Sequence, residues 1–343
     1  MKQTSLTVAA LAALAPALPV LADDFLLVVD SANDVVLKFS AADGTPLGTF
    51  ATMPVVGSGA TPKEALQVGR EVWVSDQLQD NIVAFNSDGT LIGEVVGRAQ
   101  GLDNVRGFEV AGGKIWVTCG SGTYAGQVAV FDQATRAFAF AVNVGGSPFD
   151  CFLHNGEILV TNSTSHDVDR VGLDGSILGK FVDSSAADQP LDFPQQSVRN
   201  LAGTEVLIAE FSSTEEIFRF AVSDGALLQE IDTAPQSGIR GIGELTDGRY
   251  IFTNGNGVHT YSAAGGLVSL LTGASCQYIN LYSAGCPADF NGDGFLDFFD
   301  YDDYVGCFET GNCPAGRTAD FNGDGFSDFF DYDDFVAAFE RGC

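Results

Sequence analysis

Two stretches near the C-terminus gather carboxylates and amides at a spacing that suits a hard cation. Ala288–Gly311 reads ADFNGDGFLDFFDYDDYVGCFETG, and Ala319–Gly342 reads ADFNGDGFSDFFDYDDFVAAFERG. Each contains a loop of the form D-x-N-x-D-G-x-x-x-x-x-D. In the first, Asp289, Asn291, Asp293, Asp297 and Asp300 offer side-chain oxygens at positions 1, 3, 5, 9 and 12, and Phe295 a backbone carbonyl at position 7. In the second the same places are held by Asp320, Asn322, Asp324, Asp328, Asp331 and Phe326. Gly294 and Gly325 allow the sharp turn at position 6. Alternate residues of a tight loop point inward, so each copy supplies the six to eight oxygens that calcium prefers. Two copies in register predict two bound Ca2+ ions.

The residues after each loop predict a helix. Tyr301, Tyr304, Val305 and Phe308 recur as Tyr332, Phe335, Val336 and Phe339, a spacing of i, i+3, i+4, i+7 that lays one apolar face along a helix. Each unit is therefore a calcium loop followed by a helix. This doubled layout resembles a type I dockerin, and especially the GC-type dockerin, ending in Gly-Cys, of secreted planctomycete-type bacterial proteins. The resemblance covers about the last sixty residues. It implies a small domain over residues 285–343, ordered by two calcium ions and docking onto a cohesin-like or cell-surface partner. Cellulosomal dockerins carry small hydroxyl residues at loop positions 10 and 11, where the partner is read. Here those positions hold Phe298, Phe299, Phe329 and Phe330. They serve either core packing or recognition of a different partner.

Composition narrows the ligands. The chain has 343 residues, with 16 Lys+Arg against 45 Asp+Glu and a net charge of -29. Nucleic acid is excluded as a partner, because binding it requires a basic stripe. Residues 1–22 read as a signal peptide: Lys2 is followed by an apolar run from about Leu6 to Leu21, and Val20-Leu21-Ala22 offers a small-residue cleavage site,. Export is expected, with no membrane span after cleavage. Seven cysteines suit an oxidising compartment,. Cys286, Cys307, Cys313 and Cys343 are expected to form two disulfides; Cys119 and Cys151 are a candidate pair, with Cys276 alone or joined to the tail.

Residues 23–284 carry a period of roughly 43 to 48 residues, the spacing of propellers and arrays. The clearest element is a short apolar strand ending in a polar residue: LLVVD at Leu26, VWVSD at Val72, IWVTC at Ile115, ILVTN at Ile158, VLIAE at Val206 and YIFTN at Tyr250. Asp-Gly turns at Asp43, Asp88, Asp174 and Asp224 mark hairpins between later strands. Four strands in each of six repeats predict a mainly β fold, a six-bladed propeller followed by a small helical domain. The first repeat lacks an inner strand, whereas Cys276–Tyr282 is a strand with no repeat after it. Pairing of this segment with Leu26–Asp30 is expected to close the ring. The pattern is similar to NHL-type propellers, without a diagnostic signature in any blade.

Two sets of propeller residues are candidate sites. Asp30, Asp76, Cys119, Asn162, Glu210 and Asn254 end the equivalent strands; they either ring a hard cation or, as favoured here, cap the following turn. Arg106, Arg199 and Arg240 sit beside inner strands and suit an anion, although pairing with Glu109 and Glu244 is favoured. His166 and His259 fall near turns and are expected at the surface. Trp73 and Trp116 are expected in the core between blades. No catalytic residue is assigned. The expected function is a secreted propeller that binds or displays an unidentified ligand, anchored by a calcium-dependent dockerin. The alternative is a propeller hydrolase or lyase acting on a carbohydrate or lactone in a polysaccharide-degrading system.

Overall fold

The computed structural model describes residues 24–57, 59–186, 190–212, 216–262, 266–283, 285, 288–292, 296–314, 317–321 and 326–341. The expected signal peptide, Cys286 and Cys343 lie outside them. The remainder is a six-bladed β-propeller followed by two helices. Each blade is a four-stranded antiparallel sheet. The innermost strands are Cys276–Tyr282 in blade 1, Pro62–Val68 in blade 2, Val105–Ala111 in blade 3, Pro148–His154 in blade 4, Pro194–Arg199 in blade 5 and Gly241–Glu244 in blade 6. Neighbouring blades touch along these strands and enclose a central channel.

Blades stack through the second strand of each sheet. Phe25–Asp30, Glu71–Asp76, Lys114–Cys119, Glu157–Asn162, Glu205–Glu210 and Arg249–Asn254 are buried almost end to end. Their apolar runs fill both faces, as strands covered on two sides require. Trp73 packs between blades 2 and 3, and Trp116 between blades 3 and 4. The turn glycines Gly89 and Gly225 have φ of 83° and 72°. Each lies on the backbone of the preceding blade, at Phe50 and Phe181, so a side chain there would both strain the turn and push two blades apart.

The ring closes with a strand from the far end of the domain. Cys276–Tyr282 runs antiparallel to Phe25–Asp30, pairing Phe25 with Tyr282 and Leu27 with Asn280. This gives blade 1 its inner strand and covers the edge of Phe25–Asp30 that would otherwise be open at the seam,. Phe25 stacks on Tyr282 at 4.5 Å between ring centroids. Just beyond, the Ser283 amide donates to Gln67 Oε1 at 2.8 Å and Gln67 Nε2 donates to the Ser283 carbonyl at 2.9 Å.

The C-terminal helices, α1 (Phe298–Thr310) and α2 (Phe329–Arg341), share a core almost made of rings. Tyr304 stacks on Phe335 at 3.9 Å, and Phe290 and Phe321 meet this pair edge-on. Aromatic pairs in such arrangements gain about 0.5–1.5 kcal/mol beyond their burial. Cys307 and Cys313 form a disulfide where α1 ends at the left-handed Gly311. The candidate pair Cys119 and Cys151 does not form: both are free and buried. Cys119 packs between blades 2 and 3, while Cys151 packs between blades 3 and 4. Cys276 is also free and buried. Among the described residues no helix is long and apolar enough to cross a membrane.

Candidate functional site: the two mouths of the channel

The strand registers align the inner strands residue by residue. Pro62 lies opposite Asp76, Pro148 opposite Asn162, Pro194 opposite Glu210, Val105 opposite Cys119 and Cys276 opposite Asp30, while Gly241 faces Thr253. The residue after each of the first five, and Arg240 just before Gly241, form a ring at one mouth: Lys63, Arg106, Phe149, Gln195, Gln277 and Arg240. One step deeper come Glu64, Gly107, Asp150, Gln196, Gly241 and Tyr278. Glycine is needed twice in this deeper ring. A Cβ on Gly107 would collide with Asp150, and one on Gly241 with the Gln277 carbonyl and Gln196. The large members fill the middle of the channel and divide it into two mouths.

The deeper ring and the lower mouth are acidic, and the acids hold backbone. Glu64 Oε2 accepts from the Phe108 amide at 2.7 Å and Glu109 Oε2 from that of Leu153 at 2.7 Å. Asp150 Oδ2 accepts from the Ser197 amide at 2.8 Å, and Glu244 Oε2 from that of Leu201 at 2.8 Å. Gln196 Oε1 serves two strands at once, through Ile242 and Ile279. An inner strand has amides with no further strand to pair, and a buried orphan amide is costly. These side chains stand in for the missing strand. Burial pushes the Glu64 carboxyl well above its ordinary range, with Asp150 adding to the effect, and pushes Asp150 up to about 7,. The lower mouth, about 290 Å³, is lined by Glu64, Glu109, Glu244 and Arg199 beside Leu66 and Leu153.

The upper mouth has the opposite sign. It is about 230 Å³, lined by Lys63, Arg240, Gln77, Gln195, Gln277, Phe149, Phe193 and Phe211. Arg106 lies against it, its guanidinium 3.8 Å above the Phe149 ring. Lys63 Nζ donates to Gln195 Oε1 at 3.2 Å and to Gln277 Oε1 at 2.8 Å. It stands 4.7 Å over the Tyr278 ring, a favourable place for a cation. Burial, with Arg240 and Arg106 close by, brings the Lys63 amine down to about 7,. Arg106 Nη1 donates to Ser147 Oγ and the Pro148 carbonyl; Arg240 Nη1 donates to Ser275 Oγ and the Cys276 carbonyl. Among the described residues none of these three cations forms an ion pair with a carboxylate.

The candidate arginines are therefore split. Arg106 and Arg240 reach the upper mouth, whereas Arg199 ends its strand at the lower one, where Nη2 donates to Asn155 Oδ1 at 2.6 Å. The expected pairing with Glu109 and Glu244 does not occur, because those carboxylates are taken by the Leu153 and Leu201 amides.

Asp30, Asp76, Asn162 and Asn254 are buried and cap the turns that follow them, as favoured from the sequence, whereas the buried Glu210 holds the loop before its blade's inner strand. Asp30 Oδ1 accepts from Ala32 and Asn33, Asp76 Oδ1 from Leu78 and Gln79, and Asn254 Oδ1 from Asn256 and Gly257. Asn162 Oδ1 and Glu210 Oε2 hold the Ser147 and Asp192 amides. His259 is not at the surface: it is buried in the strand Gly257–Ser262, stacked on Phe252. Its ring fills a space between strands instead of facing water.

In the tail, Asp289, Asn291, Asp297, Asp300, Asp320, Phe326, Asp328 and Asp331 are described; Asp293, Phe295, Asn322 and Asp324 lie outside the described residues. The position-12 carboxylates are fully buried. Asp300 joins the two ends of its loop by accepting from the Asn291 amide at 3.0 Å and the Asp297 amide at 2.9 Å. Asp331 does the same with Phe321 and Asp328, both at 2.8 Å. The donors present are all hard oxygens, which fits calcium. Phe298, Phe299, Phe329 and Phe330 are 66 to 70 % exposed, which rules out the core-packing role for them.

Sequence reasoning overlooked Lys63, Glu64, Phe149, Asp150, Gln195 and Gln196. A signal was present: Pro62-Lys63-Glu64, Pro148-Phe149-Asp150 and Pro194-Gln195-Gln196 repeat one pattern at the start of three inner strands.

Comparison with known proteins bears out the architecture alone. No family model matches the chain, and no curated protein does. A chain in the crystal structure of a nidogen/laminin complex superposes with a TM-score of 0.60 at 12% identity, covering 75% of this chain and 98% of that one. A protein of unknown function from Bacteroides caccae superposes with a TM-score of 0.55 at 11% identity, covering 75% of this chain and 98% of its own. At such identities the chain shares a propeller fold with these proteins, and the likeness carries no activity or ligand across.

Proposed function

We propose that this chain is an exported β-propeller that binds or displays a ligand, held in place by its C-terminal loop–helix pair. In this reading the pair is a dockerin-like module that takes two Ca2+ ions and docks onto a cohesin-like or cell-surface protein. The observation that carries the proposal is the exposure of Phe298, Phe299, Phe329 and Phe330 at the start of both helices. Exposed apolar clusters on a soluble domain mark contact surfaces, and burying one phenylalanine contributes about 1.5–3 kcal/mol. The cluster occurs twice because the unit is duplicated. A partner reading it needs apolar pockets, not the polar surface that meets small hydroxyl residues.

Calcium would be held by the carboxylates and amides of the two loops, and would neutralise charge that otherwise repels. The chain's own part is to tie each loop to its helix through Asp300 and Asp331. Metal binding of this kind is coupled to folding. Calorimetry on the full chain should show two equivalents of calcium taken up, with a gain of helix by circular dichroism. Replacing all four phenylalanines by serine should leave calcium uptake intact and abolish docking. Uptake of no calcium would remove the basis of the proposal.

A further inference from the structure

The cation-bearing mouth has no role in such a tether. Acids outnumber bases 45 to 16 in this chain, yet three bases converge where, among the described residues, no carboxylate pairs with them. Arg106 commits Nε to Asn104 Oδ1 and Nη1 to Ser147 and Pro148. Arg240 commits Nη1 to Ser275 and Cys276. Both are thereby fixed in place; Arg240 keeps Nε and Nη2 as a fork for a bidentate acceptor, while Arg106 keeps only Nη2 for a single contact,. Beside them runs an arc of three rings: Phe149 and Phe193 are 5.4 Å apart at 60°, and Phe193 and Phe211 are 5.8 Å apart at 49°. Rings tilted in this way form an uneven apolar surface that suits the C–H face of a pyranose. Gln77 and Gln195 supply amides for hydroxyls,.

One backbone feature points the same way. Phe193 has φ of 37° immediately before Pro194, a conformation that a bulky residue avoids and that a following proline disfavours further. It is held by its own amide, which donates to His166 Nδ1 at 3.0 Å, and by its carbonyl, which accepts from Phe211 at 3.0 Å. Such strain collects where a side chain must be aimed. Here it places the Phe193 ring between Phe149 and Phe211.

We propose that the upper mouth binds an anionic sugar ring, carboxylated or sulfated, with the acid group on Arg106, Arg240 and Lys63 and the ring on the phenylalanine arc. This names the ligand class for the binder reading above and rests on it, but not on calcium. The cavity is smaller than the roughly 300–1,000 Å³ typical of drug-sized ligands, which fits one sugar ring. The charged and titratable groups around Lys63 are Arg240, Arg106, Asp150, Glu64 and Tyr278. With its amine near 7, an arriving anion favours the charged form. Binding then takes up a proton above pH 7 and weakens as pH rises.

Calorimetry on the full chain with glucuronate, glucose 6-sulfate and glucose tests this. One or both acids should bind, and which one binds assigns carboxylate or sulfate; glucose should be at least about tenfold weaker. Arg240→Gln should weaken the acid about tenfold or more with circular dichroism unchanged, and Phe211→Ser should weaken it without altering its pH dependence. Binding should persist in chelator, which separates it from the calcium tether. Failure of both acids, equal binding of glucose, or an Arg240→Gln variant that binds normally would overturn the assignment.

Discussion

The two mouths of the channel are built from the same six strands in the same register, yet they handle charge in opposite ways. In the deeper ring and the lower mouth every acid named above accepts a backbone amide. At the upper mouth the cations bond, among the described residues, to carbonyls, amides and hydroxyls. The acids are explained by the inner strands' need for partners. Arg106 and Arg240 also bridge blades through the Pro148 and Cys276 carbonyls, but those bonds leave their charge unbalanced. A charge that completes an inner strand and a charge with no counter-ion among the described residues are different evidence, and the second points to a ligand.

The largest test of this contrast is steric. Gly107→Val places a side chain against the Asp150 and Phe149 backbone. It should cost about 3 kcal/mol, toward the upper end for overpacking, seen as a lower urea midpoint. Arg240→Gln one ring higher should cost about 1 kcal/mol or less, the worth of an ordinary hydrogen bond. Equal losses would erase the distinction between scaffold and site.

Titration separates the rings by sign. Asp150 rises from 3.8 to about 7 on folding, so its native form favours the proton. Its contribution is present below pH 3.8 and is lost as pH climbs to 7. Lys63 falls from 10.5 to about 7, so the unfolded chain holds that proton more tightly, and stability returns between pH 7 and 10.5. Stability against pH should therefore dip near 7. Asp150→Asn should flatten the acid arm and Lys63→Met the alkaline arm. A curve that only falls with pH would contradict the Lys63 assignment, and one that only rises would contradict that of Asp150.

The smallest effect on binding concerns the hydroxyls that join blades. Ser75 donates to the Arg106 carbonyl at 2.6 Å, Thr118 to that of Phe149 at 3.1 Å and Thr161 to that of Gln195 at 2.7 Å. Each holds the backbone of a mouth residue in the next blade. Thr161→Val should cost about 1–2 kcal/mol, because it leaves a buried carbonyl unmet, and should loosen acid-sugar binding slightly by freeing Gln195.

These hydroxyls also explain what the sequence made legible. The strands VWVSD, IWVTC, ILVTN and YIFTN share apolar residues and a Ser or Thr because each is squeezed between two blades. Their period exposed six blades and predicted the closing strand. The inner strands hid the site for the opposite reason. PKEALQ, PFDCFL and PQQSVR carry polar residues into the channel, so they lack the alternation of a half-buried strand. Lys63 and Arg240 become neighbours only when the ring closes, which no linear pattern displays. Arg199 was grouped with them by type, but it stands at the other end of its strand. The Cys119–Cys151 pair failed similarly, since adjacent blades hold those thiols in separate packing layers.

The seam of the ring has a mechanical consequence. A pull transmitted from α1 enters the propeller at Ser283 and would peel the closing strand away from the Tyr282 end, one pair at a time. That end is where Phe25 stacks on Tyr282 and Gln67 clasps both backbone groups of Ser283. The first bonds to meet tension are thus doubled and reach into blade 2, so drag on the C-terminus is shared by two blades before any strand can unzip.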